Sequence, residues 1–219
     1  MKVKTQSKKV NKSWLNDHVN DPYVRLAQKE GYRARAAYKL KEIDETFDLL
    51  KPGMVVVDLG SSPGAWSQYV RRRMAQNGLA SSELEATLIA LDVLPMSPID
   101  GVSFIQGDFR EAGVMDLLKG LLQGRLADVV VSDMAPNLSG IASADAARMV
   151  QLVGLAVEFC RHHLEPAGTL VAKVFHGDGY NELVQLFKLN FKVVKPFKPK
   201  ASRDKSSENF LIGCGLRER

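Results

Sequence analysis

The stretch from Met54 to Trp66, "MVVVDLGSSPGAW", decides how the rest of the chain is read. Three valines followed by Asp58 and Leu59 make a short β-branched run of the kind buried on both faces of a parallel sheet. Gly60 and Gly64 then turn the backbone, and "AWSQYV" begins a helical pattern. Glycine permits the tight turn and lets the backbone approach a ligand closely. The spacing departs from the dinucleotide fingerprint GxGxxG, which needs glycine at 62 and 65, where Ser62 and Ala65 stand. A nicotinamide- or flavin-dependent oxidoreductase is therefore disfavoured.

Outward from this turn, strand and helix patterns alternate. The spacing predicts strands at 54–60, 86–93, 103–109, 127–134 and 168–175, with helices near 64–75, 111–123, 145–164 and 181–189. Upstream, 33–50 reads as a helix, because Ala36, Leu40, Ile43, Phe47 and Leu50 form one apolar stripe that "KPG" at 51–53 stops. Two closing strands, 191–197 and 209–216, are eleven residues apart. That gap is short for a crossover helix, so they should pair as an antiparallel hairpin. The expected class is α/β: a mostly parallel, Rossmann-like sheet with helices on both faces and an antiparallel last strand. "NGLASSELEA" (77–86) reads as a loop.

The 219 residues, 45% hydrophobic and 25% charged, suit one globular domain over 14–219 behind a basic, polar tail at 1–13. No apolar run is long enough to span a membrane, and no apolar region follows the first lysines as in a secretory signal. Cys160 and Cys214 form no CxxC pair and read as reduced structural thiols, which with the missing signal points to the cytoplasm. The four histidines show no metal-ligand spacing, so no metal is expected. Residues 1–39 hold ten Lys/Arg against three Asp/Glu, and "KPFKPKASRDK" (195–205) holds five against one. Basic segments on a near-neutral body suggest nucleic acid, a solubilising tail being the plainer alternative.

Ligands of open α/β sheets bind at the carboxyl ends of the parallel strands. Those ends supply Asp58, Asp92, Asp108 and Asp133, while the fifth strand carries Lys173 inside the apolar run "LVAKVF". An acid at the second strand's end commonly accepts from ribose hydroxyls. Asp108 could accept an exocyclic amino proton, although any single Asp may equally cap a loop. A lysine is almost never buried without a partner. The antiparallel last strand begins at this same edge, so Glu208 should arrive beside Lys173 and Asp133. Lys39 borders the early apolar stripe and can reach inward, or simply snorkel to the surface.

Taken in order, "RARAAYKL", "VVDLGSSPGAWSQY", "LDVLPM", "GDF", "SDMAPNLSG" and "VAKVFHG" resemble the FtsJ-like RNA 2′-O-ribose methyltransferases from about residue 13 to 216. The resemblance implies a seven-stranded sheet and a catalytic tetrad of Lys39, Asp133, Lys173 and Glu208. It also implies S-adenosyl-L-methionine held along Gly64, Trp66, Asp92, Asp108 and Asp133, beside the Asp58–Gly60 turn. The implied substrate is the ribose 2′-hydroxyl of a uridine in the A-loop of 23S ribosomal RNA, as naked RNA or in the large ribosomal subunit; a monomer is expected. Ala65 departs from the pattern, where bacterial members often have glycine, and "SSEN" around Glu208 matches loosely.

The tetrad is chemically sensible. A ribose hydroxyl is a poor nucleophile until its proton is taken, and a lysine can take it only as the neutral amine. Desolvation and the like charge of Lys39 favour that form, whereas Asp133 opposes it and is better suited to orienting Lys173. Glu208 would position Lys39 or the ribose. The basic segments would hold phosphates, and Tyr23, Tyr32 and Tyr38 offer stacking surfaces, although core packing is the readier fate of at least one of them. The competing class is a ribosome-assembly or RNA-binding factor that uses the fold without turnover.

Overall fold

The computed structural model describes residues 20–75, 87–137 and 139–218. The basic tail at 1–13 and the 77–86 loop read from sequence lie outside them. In chain order the elements are α1 (Pro22–Glu30), α2 (Ala37–Phe47), β1 (Val55–Leu59), α3 (Ala65–Ala75), β2 (Thr87–Asp92), β3 (Ser103–Gln106) and α4 (Ala112–Leu122). These are followed by β4 (Ala127–Ser132), α5 (Ala142–His163), β5 (Leu164–Phe175), α6 (Tyr180–Asn190), β6 (Phe191–Phe197) and β7 (Glu208–Leu216).

The seven strands form one sheet in the order β3-β2-β1-β4-β5-β7-β6. All neighbours pair in parallel from β3 to β5, and β7 runs antiparallel between β5 and β6. The apolar stripes of α4, α5 and α6 cover one face, and those of α2 and α3 cover the other. Every residue of β1 is buried, as its β-branched run requires. Sequence and structure therefore agree on class and on the closing hairpin, and the structure adds that the strand order reverses between β1 and β4.

Several boundaries differ from the sequence reading, each for a local reason. The early helix covers 37–47 rather than 33–50, because Asp48 adopts the left-handed conformation and donates its N–H to the Asp44 carbonyl. Leu50 then folds back, its N–H donating to a carboxylate oxygen of Asp44 at 2.7 Å. β3 covers only 103–106, its last ladder bond running from the Gly107 N–H to the Asp92 carbonyl (2.9 Å). Helix α1 has too few apolar residues for its periodicity to show in the sequence. Asp21 caps it by accepting from Tyr23 N–H (2.9 Å), Pro22 opens it and Gly31 closes it.

The tyrosines near α1 are mainly structural. Tyr38 is buried, with Tyr23 and Tyr32 packed on it at ring distances of 5.6 and 5.7 Å. Tyr38 also donates to Glu30, and Tyr23 to Glu42. Tyr38 is thus a core residue, the alternative that the sequence already offered for at least one of the three.

Asp58 is fully buried in β1, with one carboxylate oxygen accepting from Ser67 Oγ at 2.6 Å. Burial pushes its carboxyl up to about 7, opposed by the Ser67 hydrogen bond and reinforced by Asp133 and Asp92. A raised pKa means that the folded chain keeps this proton where the unfolded chain has lost it. Stability associated with the protonated form is thus present below the ordinary carboxylate range and lost as pH rises through about 7. Asp58→Asn removes that dependence. Between pH 5 and 8 the wild type should lose about 2 kcal/mol relative to the variant in urea unfolding; parallel pH profiles would show that Asp58 is not protonated in the fold.

Candidate active site

Parallel register brings the first pair of functional side chains together. Ser132 lies opposite Ala172, so Asp133, the next residue, meets Lys173. The Lys173 Nζ lies 3.0 Å from Asp133 Oδ1 and donates to the Asp133 carbonyl at 2.6 Å. Lys173 is only 9% exposed, consistent with a cation tolerated inside a strand because a carboxylate faces it.

The antiparallel strand supplies the second pair. Phe175 lies opposite Glu208, which places that carboxylate at the same sheet edge. Lys39 of α2 donates to Glu208 Oε2 at 2.7 Å, and Ser202 Oγ donates to Oε1 at 2.8 Å. Burial acts to raise the Glu208 carboxyl, but Lys39, Ser202 and Lys173 outweigh it and hold the group below its ordinary range. Lys39, Asp133, Lys173 and Glu208 therefore gather at one edge from four separate elements.

Beside Asp133 a cavity of about 690 Å³ opens over the ends of β1, β2 and β4, where the strand order reverses. Gly60, Asp92, Asp108 and Asp133 line it. Gly60 has a φ of 76°, and a Cβ there would stand 2.8 Å from Met134, so the close approach of the two loops demands glycine. Asp92 accepts from the N–H groups of Ser62 and Leu94, both at 2.8 Å, which fixes its carboxylate while leaving further lone pairs. Arg110 binds Asp108 and holds its carboxyl down at about 2.

Three expected cofactor residues stand behind this wall. Asp58 is buried beneath it. Gly64, with a φ of 102°, packs where a Cβ would strike Arg33, Met96 and Ile99. Trp66 is 2% exposed, donates from its indole to the Ala36 carbonyl at 2.8 Å and packs on Phe210, the register partner of Lys173. The ring thus supports the lysine-bearing strand from below.

Two contributors escaped the sequence reading. Arg33 donates to the carbonyls of Pro63, Ser97 and Pro98, tying the β1–α3 turn to the loop after β2. Ser202 reaches Glu208 because Glu42 accepts the N–H groups of Lys200 and Ala201, and Arg35, paired with Asp21, donates to the Ala201 carbonyl. Neither has a local sequence signal, since each depends on partners tens of residues away. Among the described residues no cluster of three or more His, Cys, Asp or Glu is arranged to hold a metal ion, and no helix is long and apolar enough to cross a membrane.

Comparisons with known proteins cover nearly the whole chain. A model of the FtsJ-like methyltransferases matches residues 32–216. A protein of Variovorax paradoxus named ribosomal RNA large subunit methyltransferase E is 69% identical over 217 residues, covering 99% of this chain and 98% of its own length. The protein of that name from Paracidovorax citrulli is 68% identical over 218 residues, with both chains fully covered. Among solved structures, a Plasmodium falciparum protein described as a ribosomal RNA methyltransferase superposes with a TM-score of 0.74 at 29% identity, covering 86% of this chain and 100% of that one. With the family model matching residues 32–216 and a relative 69% identical over nearly the whole of both chains, this chain belongs to the FtsJ-like methyltransferases.

Proposed function

We propose that the protein transfers a methyl group from S-adenosylmethionine to the ribose 2′-hydroxyl of a uridine in the A-loop of 23S ribosomal RNA, within the large ribosomal subunit. The observation that carries the reading is Lys173 paired with Asp133 at the rim of the switch-point cavity. The near-full-length relatives named for large-subunit ribosomal RNA support the substrate class. We further read residues 14–219 as one domain behind a basic tail at 1–13, acting as a cytoplasmic monomer.

The cavity suits the donor. Asp92 keeps lone pairs for ribose hydroxyls, the Gly60 turn allows close backbone approach, and Asp133 puts a carboxylate near a sulfonium. When bound, S-adenosylmethionine supplies an electrophilic methyl carbon. Lys173 Nζ is held by the Asp133 carbonyl, to which it donates, and by the Asp133 carboxylate 3.0 Å away. As the free amine it keeps a lone pair for the hydroxyl proton. Lys39, held by Glu208, presents a cation to the oxygen as negative charge develops. Ser202 fixes the Glu208 carboxylate and therefore acts through it. No covalent intermediate is needed, so alignment supplies much of the rate.

Two measurements test this on large ribosomal subunits lacking the methyl group, with labelled S-adenosylmethionine and alkali-resistant ribose methylation as the readout. Lys173→Ala should lower kcat by about 1,000-fold or more while donor affinity stays within about threefold; activity above a tenth of wild type removes Lys173 as the base. Ser202→Ala should lower kcat by about tenfold with donor affinity unchanged, the cost of one hydrogen bond to a carboxylate. An unaffected kcat would mean that Lys39 alone positions Glu208.

A further inference from the structure

A second cavity, of about 530 Å³, opens at the same sheet edge but over the end of β5 and the close of the β6–β7 loop. We infer that it receives an unpaired nucleobase of the acceptor RNA, stacked on His176. The inference rests on the proposed ribose methylation and adds a site on the acceptor side.

Its position follows from the sheet order. The first cavity lies over the ends of β1, β2 and β4, and the second over those of β5 and β7. The Lys173–Asp133 pair sits at the seam between β4 and β5. Helix α5 forms a shared wall: Arg148, Gln151 and Leu152 face the first cavity. Ala142, Asp145, Ala146 and Met149, spaced as one helical stripe, face the second. Displacement at a methyl carbon requires the attacking oxygen opposite the leaving sulfur, so donor and acceptor occupy opposite sides of the transfer. With the donor in the first cavity, the acceptor nucleotide belongs on the side of β5 and β7.

The chemistry of the walls suits a base. His176 is exposed, and its ring lies parallel to Tyr180, with centroids 4.2 Å apart and planes 25° apart. The His176 N–H donates to the Ser207 carbonyl at 2.8 Å, anchoring the segment to the residue before Glu208. Phe175 and Met149 supply apolar contact, while Ser207 and Asp178 supply hydrogen-bonding groups for a base edge. Lys205 lies among the lining residues with its side chain exposed, where a phosphate can meet it. An aromatic platform, polar edges and one cation are what single-stranded nucleic acid uses.

The test uses the full chain, unmethylated large ribosomal subunits and labelled S-adenosylmethionine. Removing the platform with His176→Ala should raise KM for the subunits by about tenfold, the usual loss when one base loses its aromatic partner. Filling the cavity with Ala146→Trp should do the same, and both should leave donor affinity, read by calorimetry, within about twofold. His176→Phe, which keeps a flat face and discards the ring nitrogens, should restore the wild-type KM. Unchanged KM in His176→Ala overturns the inference, even if Ala146→Trp proves unstable. A Phe variant as impaired as the Ala variant overturns it too, because the ring would then not act by stacking. If wild-type protein itself forms no alkali-resistant methyl product, the proposed reaction fails first; normal wild-type turnover with indifferent variants sinks only the base site.

Discussion

Lys173 lies between Ala172 and Val174, both fully buried, in a strand covered on each side by helices. A cation in such a place costs several kcal/mol unless an anion compensates it. Asp133 provides that compensation twice, through its carboxylate and its carbonyl. The requirement reaches far into the fold. Asp133 meets Lys173 only if β4 and β5 are adjacent and parallel, with Ser132 opposite Ala172. Glu208 reaches the same edge only because β7 runs against β5, pairing Phe175 with the residue that begins the last strand. Were β7 parallel, its start would lie at the far edge of the sheet. One buried charge thus makes sense of the strand order, the register and the single reversal of direction.

The carboxylates crowded at this edge are each neutralised differently. Asp58 is raised to about 7 by burial, so it carries its proton through the acidic range. Asp92 is met by two backbone N–H groups, Asp108 by Arg110, Asp133 by Lys173, and Glu208 by Lys39 and Ser202. Because every acid has its own partner, the cavity can line up several negative groups without mutual repulsion unfolding the loops. Such an edge favours a cationic ligand over an anionic one. The second cavity is set apart, over the end of β5 and the start of β7, with Lys205 exposed at its margin.

Much of this was legible in the sequence, for identifiable reasons. The "MVVVDLG" run could only be a buried strand, and the short gap between the last two strands left a hairpin as the natural connection. Together they determine which chain ends face the same way, and hence where Asp133, Lys173 and Glu208 gather. Helix α1 was also encoded, by Asp21-Pro22 at its start and Gly31 at its end, but its low apolar content hid the stripe. The support for Glu208 was not legible. Glu42 and Ala201 are 159 residues apart, and nothing in either segment announces that a carboxylate will bind the other's backbone. Trp66 shows a related limit: its place in a motif says that it matters, not whether its indole faces the ligand or the core.

The basic 195–205 segment changes meaning once it is seen folded. Its cations are partly engaged within the protein: Lys198 donates to the Ser206 carbonyl at 2.9 Å, Arg203 lies 3.7 Å from Asp21, and Lys195 sits over the Phe47 ring. The backbone at 200–202 is held against α2 by Glu42 and Arg35, and Ala201 and Ser202 are buried. That anchoring presents Ser202 to Glu208 while leaving the side chains of Lys200 and Lys205 exposed. The exposed lysines therefore share one anchored stretch of backbone with the hydroxyl that fixes the Glu208–Lys39 ion pair. Composition alone points to a polyanionic partner for this segment; only the fold reveals that the same residues also brace the sheet edge.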